Sequence, residues 1–405
     1  MKDKLVNYCN VVRGVSYSPP DLKDSYKNDT YYLLRSNNIK RGKLVFEDVQ
    51  IVDEKCVSLS QKLEEKDIAV CMSNGSKRLV GKSAQFKSST NNYCVGAFCA
   101  GFRPNIKSVP DYIFQLFQSQ DYQKYIDVTL AGSAINNLKG GDVLDFEFSF
   151  PPLPQQRKIA KILSICDEVI EKTEAAISKY EALKQGMMHD LFSRGIDVKT
   201  GKLRPSYKEA PELYQESELG FIPKDWEVKK LEDFLILKSG DGITSKDIND
   251  FGEYPVYGGN GLRGYTNSYT HEGDYVLIGR QGALCGNITL ASGRVYASEH
   301  AVVVTITDDS DVKWIEYKLR LMNLNQYSEA SAQPGLSVGK IVKLSIKVPK
   351  GNEQQLIAKR FIGIENRIKT ELEVVAKYQQ LKAGLMQDLL TGKVEVSVAE
   401  EILKN

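Results

Sequence analysis

Side chains that can bind the edges of DNA bases recur in two sets of glycine-bearing loops. Arginine can donate two hydrogen bonds to guanine, and asparagine or glutamine can make a matched pair of bonds to adenine. The first set of candidates is Arg35, Asn37, Asn38, Asn74, Lys77 and Arg78. The second set is Asn260, Arg263, Arg280, Gln281, Glu299 and His300. Taken singly, each residue is more readily explained as an exposed or structural loop residue, so further observations are needed.

The sequence shows no catalytic or cofactor-binding constellation beside these loops. The glycine run at 258–261 lacks the GxxxxGK[ST] spacing of a phosphate-binding loop and is interpreted as a turn. SFPP at 149–152 is close to the (Asn/Asp/Ser)-Pro-Pro-aromatic motif of amino-methyltransferases, but it lacks the closing aromatic residue and a preceding glycine loop. Three scattered histidines, and seven cysteines without a CxxC spacing, predict no metal site. We therefore expect no catalytic residue, metal or cofactor in this chain.

Composition places the chain among ordinary soluble proteins. Its 405 residues leave room for two or three domains. Because 54 Lys and Arg residues nearly balance 52 Asp and Glu residues, a DNA-binding surface must come from charge placement, or partly from another subunit. No apolar run approaches the length of a membrane span, and the N-terminus lacks the apolar core of a signal peptide. We expect a cytoplasmic protein with reduced thiols.

A duplicated stretch organises the rest of the chain. Residues 151–191 align without a gap on residues 349–389, with 14 identities in 41 positions, which indicates an internal duplication. Both copies lack internal proline beyond their first residues and carry apolar residues at helical spacing, close to a heptad seam. The seam residues are Ile159, Leu163, Ile170, Ile177, Tyr180, Leu191, Ile357, Phe361, Ile368, Val375, Tyr378 and Leu389. Each helix would be roughly 55 Å long, and the obvious partner for its stripe is the other copy; two unrelated core helices are the alternative.

Two globular parts alternate with these helices. Residues 1–150 and 227–348 show short apolar runs broken by turn residues, which predicts mixed α/β heads. We expect a head at 1–150, a long helix at 151–195, a linker at 196–226, a second head at 227–348, a second long helix at 349–391 and a C-terminal tail at 392–405. The predicted fold class is mixed α/β (α+β), with the heads separated by two long antiparallel coiled-coil helices in a pseudo-twofold repeat.

The duplication continues weakly into the heads. Leu138 matches Leu336 at the same offset of 198 residues. The step from Asp to Gly at 67–75 has the same length as that at 274–282, which predicts that these two segments are equivalent. The heads have nevertheless diverged much further than the helices. This contrast indicates that each head recognises something different.

Several short motifs occur in a combination typical of one family. They are LRSNNI at 34–39, PPLPQQRKIA at 151–160, LKQGMM at 183–188, LRPSY at 203–207, ELGFIPKDW at 218–226 and VLIGRQGALCGN at 276–287. Together they resemble the specificity (S) subunit of a type I restriction–modification system, over nearly the whole chain. The family has Glu-Gln at each helix start, which Glu353-Gln354 keeps and Gln155-Gln156 does not. A carboxylate near a helix N-terminus is worth about 0.3–1 kcal/mol.

The resemblance implies a division of labour between subunits. The heads would be target recognition domains, each reading one half of a split, asymmetric site in double-stranded DNA. The helices would set the unread spacer and, through the seam region, dock two modification (methyltransferase) subunits, which restriction (motor and nuclease) subunits would join. S-adenosylmethionine, ATP and Mg²⁺ would belong to those partners, and this chain would be non-catalytic. Two other classes stay open: a coiled-coil adaptor with protein-binding heads, and a methyltransferase or nuclease fused to its own specificity domains.

Overall fold

Two long helices carry the duplicated sequence, which confirms that prediction. In the computed structural model, which describes residues 2–90, 92–131, 136–282, 284–328 and 334–397, they span Leu153–Ser193 and Gly351–Leu390. The chain divides into two compact units. Unit 1 consists of Met1–Ala175 and Leu372–Asn405, and unit 2 of Ala176–Glu371. Both dividing points lie inside the long helices, so each unit contains one head and parts of both helices.

The head of unit 1 is built from short strands and helices. Its strands are β1 (Lys2–Lys4), β2 (Cys9–Arg13), β3 (Thr30–Leu34), β4 (Ile39–Lys40), β5 (Lys43–Leu44), β6 (Gln50–Asp53), β7 (Ile68–Cys71), β8 (Ser83–Gln85), β9 (Tyr93–Val95), β10 (Cys99–Pro104) and β11 (Glu147–Ser149). Its helices are α1 (Pro110–Phe117), α2 (Gln120–Ala131) and α3 (Gly140–Leu144), and the first long helix, α4 (Leu153–Ser193), follows.

The core of unit 1 lies between a sheet and the helices beneath it. The antiparallel sheet has the order β2-β10-β7-β8, and a second sheet, β6-β3-β9, pairs β3 with β9 in parallel. Phe102 on β10 packs in one buried cluster with Ile113 and Leu116, which lie three residues apart on one face of α1. Leu163 and Leu389 of the long helices belong to the same cluster. The long helices therefore close the base of this head.

Unit 2 begins with the linker and continues into the second head. Its strands are β12 (Ile196–Asp197), β13 (Lys202–Leu203), β14 (Tyr214–Gln215), β15 (Ile222–Pro223), β16 (Glu227–Lys230), β17 (Leu235–Ser239), β18 (Tyr254–Gly258), β19 (Gly261–Thr266), β20 (His271–Gly279), β21 (Ile288–Ala297), β22 (Ala301–Ile306) and β23 (Ser345–Val348). Its helices are α5 (Val312–Leu321) and α6 (Val338–Ile341), and the second long helix, α7 (Gly351–Leu390), follows.

A six-stranded sheet dominates unit 2. Its order is β17-β22-β20-β21-β18-β19, and all its neighbours are antiparallel except β18 and β21. Trp314 and Tyr317 of α5 are fully buried beneath the sheet, together with Phe361 of α7. The second head is thus closed at its base by helices in the same manner as the first.

The apolar seam of the long helices is most deeply buried where it meets a head. Buried seam residues are Ile159, Leu163, Ile177, Leu191, Ile357, Phe361, Val375 and Leu389. Partly buried seam residues are Ile170, Tyr180, Ile368 and Tyr378. Within unit 1, the start of α4 packs with the end of α7, and within unit 2 the end of α4 packs with the start of α7. The pairing inside each unit is therefore antiparallel, as predicted.

A carboxylate on α4 ties the two long helices to the first head. The Lys382 ammonium of α7 donates to Oδ1 of Asp167 over 2.6 Å, and the Gln115 amide of α1 donates to Oδ2 over 2.8 Å. Asp167 is half-buried, so both donors lie in a partly desolvated place where such bonds are stronger than at the surface. This single side chain joins three helices of unit 1.

Unit 2 repeats this arrangement 198 residues further along. Glu365 of α7 accepts from the Lys184 ammonium of α4 and, over 2.6 Å, from the Tyr317 hydroxyl of α5. Burial alone would raise the pKa of Glu365, but the bonds from Lys184 and Tyr317 outweigh it and hold that pKa below its ordinary value. The duplicated chain therefore uses the same joint twice, with a different donor from each head.

Glu353, at the start of α7, has a larger role than a carboxylate near a helix end. It is 1% exposed and accepts hydrogen bonds from both terminal nitrogens of Arg204, from the Trp226 indole over 3.0 Å and from the Ile196 amide over 2.8 Å. Its counterpart Gln155 in α4 is only partly buried. A gain of about 0.3–1 kcal/mol applies to an exposed carboxylate near a helix N-terminus, whereas Glu353 is the buried centre that fastens the linker to the helix.

Candidate nucleic-acid interface

The loops that carry the second set of candidates meet at one edge of the unit 2 sheet. The Arg280 amide, just after β20, donates to the His300 carbonyl, just before β22, over 2.9 Å. The turn after β18 packs against both: a Cβ atom added to Gly259 would lie 3.1 Å from the Gln281 carbonyl oxygen and 3.3 Å from that of His300. The fold therefore brings together the segments that hold all six predicted residues of this head.

The side chains at this edge are exposed or half-exposed and partly pre-arranged. The Arg280 guanidinium donates to the Ser239 hydroxyl over 3.0 Å, and Glu299 lies 3.2 Å from the Nε2 atom of His300. Asn260 and Arg263 are exposed on the turn and on the strand that follows it. The edge thus offers guanidinium, amide, imidazole and carboxylate groups to one side of the head.

Arg35 and Asn37 of the first head converge on one carboxylate. The Nη2 atom of Arg35 donates to Oδ2 of Asp48 over 3.1 Å and to the Asp48 carbonyl over 3.3 Å. The Asn37 amide donates to the same Oδ2 atom over 3.1 Å. These three residues line a cavity of about 780 Å³ that also contacts Tyr17 and Phe98.

Asn38 is a structural residue, which corrects its prediction as a base reader. It is fully buried, its Oδ1 atom accepts from the Arg35 amide over 2.9 Å, and its Nδ2 atom donates to the carbonyls of Val45 and Glu47 over 3.0 Å each. All three bonds are local, so the hydrogen-bond partners of this side chain are backbone groups of its own turn and not water. Asn38 therefore shapes the loop that presents Arg35 and Asn37.

The remaining candidates of the first head lie in the loop between β7 and β8. The Asn74 amide donates to the Ser36 hydroxyl over 3.2 Å, and Lys82 donates to the Ser36 carbonyl, so this loop is fastened to the Arg35 loop. Lys77 and Arg78 are exposed on a short 3-10 turn of the same loop. The structure places Asn74 beside the Arg35 loop, whereas it gives Lys77 and Arg78 no bond to it within the described residues.

Backbone hydrogen bonds define which positions of the two heads are equivalent. The Met72 amide donates to the Phe98 carbonyl over 2.8 Å, as the Arg280 amide donates to that of His300. Met72 is therefore equivalent to Arg280, and Phe98 to His300. The predicted equivalence of residues 67–75 and 274–282 would pair Met72 with Gly279, so the observed pairing with Arg280 corrects that prediction by one residue. Leu138 and Leu336, whose amides bind the carbonyls of Met72 and Arg280, are equivalent as predicted.

The same reasoning pairs Arg35 with a glycine. The carbonyl before Arg35 accepts from the Gly96 amide over 2.9 Å, and the carbonyl before Gly258 accepts from the Ser298 amide over 2.8 Å. Gly96 and Ser298 each stand two residues before the equivalent pair Phe98 and His300. The two heads thus share one backbone frame but carry different side chains on it.

The sequence matches the family model described as "Type I restriction modification DNA specificity domain" twice, at residues 9–179 and 223–383. The two matches cover most of the chain. The chain belongs to this family. Each match takes in most of a head together with most of the long helix that follows it, so the matched domain occurs twice, once in each half of the duplicated chain.

Curated members of the specificity family are similar to parts of the chain. The EcoprrI specificity subunit of Escherichia coli is 42% identical over 151 residues, which is 36% of this chain and 38% of that protein. The EcoKI specificity subunit of Escherichia coli (strain K12) is 28% identical over 251 residues, which is 61% of this chain and 50% of that protein. The matched parts therefore span half or less of these relatives.

A solved structure of the specificity family is similar over nearly the whole length. The S subunit of a type I restriction–modification system from M. genitalium has a TM-score of 0.65, covers 98% of this chain and 96% of its own, and is 15% identical. At this identity the match establishes the shared fold. The fold class predicted from the sequence, with two heads and long helices in a repeat, is confirmed.

Two contacts of the interface and two residues that line its cavity were not foreseen in the sequence. Asp48 follows Arg35 by 13 residues, and Ser239 precedes Arg280 by 41, so sequence spacing gives no sign of either contact. Phe98 is 69% exposed at a turn beside the cavity. Its neighbour Cys99 lines the cavity as a neutral thiol, because the Cys71 thiol and burial both raise the pKa of Cys99.

Neither a metal-binding cluster nor a membrane-spanning helix is present in the part of the chain that the structure describes. Among the described residues, no three His, Cys, Asp or Glu side chains are grouped so that they could hold a metal ion. Within those same ranges, no helix combines the length and apolar character needed to cross a membrane.

Proposed function

We propose that this chain is the DNA sequence-specificity subunit of a type I restriction–modification complex, and that each head reads one half of a bipartite, asymmetric site. One observation carries the proposal: the heads share a backbone frame at their loop edge but differ in the side chains on it. Met72 takes the place of Arg280, and Arg35 that of Gly258. Base contacts confer sequence specificity, so different side chains on one frame favour two different half-sites.

The long helices support a role in holding two identical partner subunits. Leu183 and Leu381, 198 residues apart, are 51% and 49% exposed on the two helices, and each lies close in sequence to a lysine of a repeated joint. An exposed leucine needs no explanation by itself, but the same exposed position on both repeats favours a surface that is used twice. We propose that two modification subunits dock here and that restriction subunits join them.

The chemistry of the complex would then reside in its partners. S-adenosylmethionine would serve the modification subunits, and ATP and Mg²⁺ the restriction subunits. This chain would contribute no catalytic residue and no cofactor of its own. Its task would be to select the DNA sequence on which those subunits act.

Exchange of one head tests this proposal. The complex is assembled from this chain and its modification subunits, and methylated sites are mapped in genomic DNA. Replacing residues 1–150 with the corresponding head of another specificity subunit should change one half-site and leave the other half-site unchanged. The reciprocal exchange of 227–348 is the matched control and should change the opposite half. If either exchange alters both half-sites, or if the original complex methylates without a bipartite pattern, the proposal is wrong.

A further inference from the structure

Asp48 holds the two candidate base readers of the first head. Its carboxylate accepts from Arg35 and Asn37, and its carbonyl also accepts from Arg35. The backbone of Asp48 has a φ of 53°, in the left-handed region that residues other than glycine adopt at a cost and that aspartate and asparagine tolerate best. The loop therefore adopts a strained backbone conformation that brings this carboxylate to these two side chains.

Arg35 keeps donors free while it is held. Asp48 binds only the Nη2 group, and within the described residues Nε is buried without an acceptor, whereas Nη1 makes no hydrogen bond. The two N–H groups of Nη1 are therefore the donors left for a ligand. The guanidinium borders the cavity of about 780 Å³ that Tyr17 and Phe98 also line. A fixed planar guanidinium with free N–H groups at a cavity is suited to bind two acceptors at once.

The chemistry of the cluster favours a base over a phosphate. The Asp48 side chain is 80% exposed, so its negative charge would face a DNA phosphate near Arg35 and repel it. Guanine presents two acceptors, O6 and N7, in the major groove, and arginine matches them with two donors. A carboxylate beside the arginine does not oppose that contact and fixes the direction of the guanidinium.

The second head fills the same place with another arginine. A Cβ atom added to Gly258, the equivalent of Arg35, would lie 2.3 Å from Cδ of Arg263. The Arg263 side chain, which comes from the next strand, therefore occupies the space where a side chain at position 258 would begin. An arginine at this place in both heads, delivered from different backbone positions, is an independent sign that the place is used for recognition.

We propose that Asp48 is a positioning residue that presents Arg35 to a guanine in the half-site read by the first head. The proposal rests on the proposed function and deepens it. It requires that this half-site contain at least one specified G·C pair, and that the preference for that pair depend on both residues. At that base pair Asp48 acts through Arg35, so removing both residues should cost no more preference for that pair than removing Arg35 alone.

Methylation by the assembled complex tests the proposal. The half-site of the first head is identified by the head exchange described above, and duplexes with each of the four base pairs at each of its positions are then methylated in competition. Variants are Arg35→Ala, Asp48→Asn and Asp48→Gly, and the double variant Arg35→Ala/Asp48→Asn. Both Asp48 variants tolerate the left-handed backbone, so they remove the carboxylate without adding strain. Asp145→Asn, which removes an exposed acid paired with Lys4 elsewhere in this head, is the matched control.

We expect Arg35→Ala to lower the preference for one G·C pair by about 5- to 150-fold, which corresponds to the 1–3 kcal/mol of a bidentate contact. Both Asp48 variants should lower it at least about 5-fold at the same position, the double variant should equal Arg35→Ala, and Asp145→Asn should change nothing. A half-site of A·T pairs only, an unchanged preference in both Asp48 variants, or an equal loss for all four base pairs would each overturn the role of Asp48. The proposed function itself would fail differently, through the absence of any bipartite pattern with the unchanged chain.

Discussion

Replacing Glu353 with glutamine should destabilise unit 2 far more than its place near a helix end indicates. The two carboxylate oxygens accept four hydrogen bonds, two of them from the buried guanidinium of Arg204. Glutamine would turn an NH₂ group toward one pair of these donors whichever way its amide is oriented. It would also remove the main counter-charge of Arg204. Breaking a buried ion pair on one side costs about 3–5 kcal/mol.

The remaining partner of Arg204 brings the expected loss to the low end of that range. Asp225 stays bonded to Arg204 over 2.8 Å, but it is 49% exposed and therefore partly screened by water. We expect Glu353→Gln to lower the free energy of unfolding by about 3 kcal/mol. The matched control is Gln155→Glu at the equivalent position of α4, where the added carboxylate should change stability by no more than about 1 kcal/mol.

Tryptophan fluorescence gives a direct assay. The chain has two tryptophans, Trp226 and Trp314, and both lie in unit 2, so unfolding of the full chain in urea reports this unit. Adding Arg204→Met to Glu353→Gln should recover part of the loss, because no unpaired buried charge then remains. A loss below about 1 kcal/mol for Glu353→Gln, or no recovery in the double variant, would show that this network does not fasten the linker as we describe.

Two further predictions follow from the helices and from a buried lysine. Matched heptad insertions near Ala176 and Val374 fall close to the points where the two units divide, and they lengthen each helix by roughly 10 Å, or about three base pairs of DNA. Methylation mapping should then show a longer spacer, or lost activity through the changed helical phase of the DNA, and full activity with an unchanged spacer would contradict the role of the helices as a ruler. Two-residue insertions, which rotate the seam by about 200°, should abolish assembly. Burial and the Lys347 charge lower the pKa of Lys318 from 10.5 to about 8, so the unfolded chain binds this proton more tightly, and the free energy of unfolding should rise between pH 8 and 10.5. Replacing Lys318 with methionine should remove this pH dependence and stabilise unit 2 at pH 7 by on the order of 2–3 kcal/mol. An unchanged urea midpoint would refute the buried charge.

The architecture was predictable because it follows from local patterns of the sequence, namely a repeat and the spacing of its apolar residues. A 198-residue repeat with helical periodicity and few prolines leaves little choice but two long helices, and both form. Eight of the twelve predicted seam residues are buried, whereas the other four, among them Ile170 and Ile368 midway along the helices, are only partly buried. Periodicity reports which side chains share a face, but the depth of burial depends on what the heads place against that face.

The recognition edge was predictable only in outline. Sequence marks Asn38 and Asn37 as equal candidates, yet one is buried in its own turn and the other faces Asp48. Whether a polar side chain serves the turn or the ligand depends on backbone geometry that is set by distant strands. The contact of Arg263 with Gly258 is equally invisible in sequence, since no rule of spacing links a glycine to the side chain that will cover it.

The division of the chain has a consequence for its biosynthesis. The core beneath the first head includes Leu389, Leu390 and Val396, so this head lacks part of its interior until the second head has been synthesised. At about 5–20 residues per second, the wait between residue 175 and residue 372 is roughly 10–40 s. Unit 2 is one uninterrupted stretch and needs no such delay. We expect the first-synthesised head to be completed last and to rely on chaperones meanwhile, with its unfinished apolar base open to solvent.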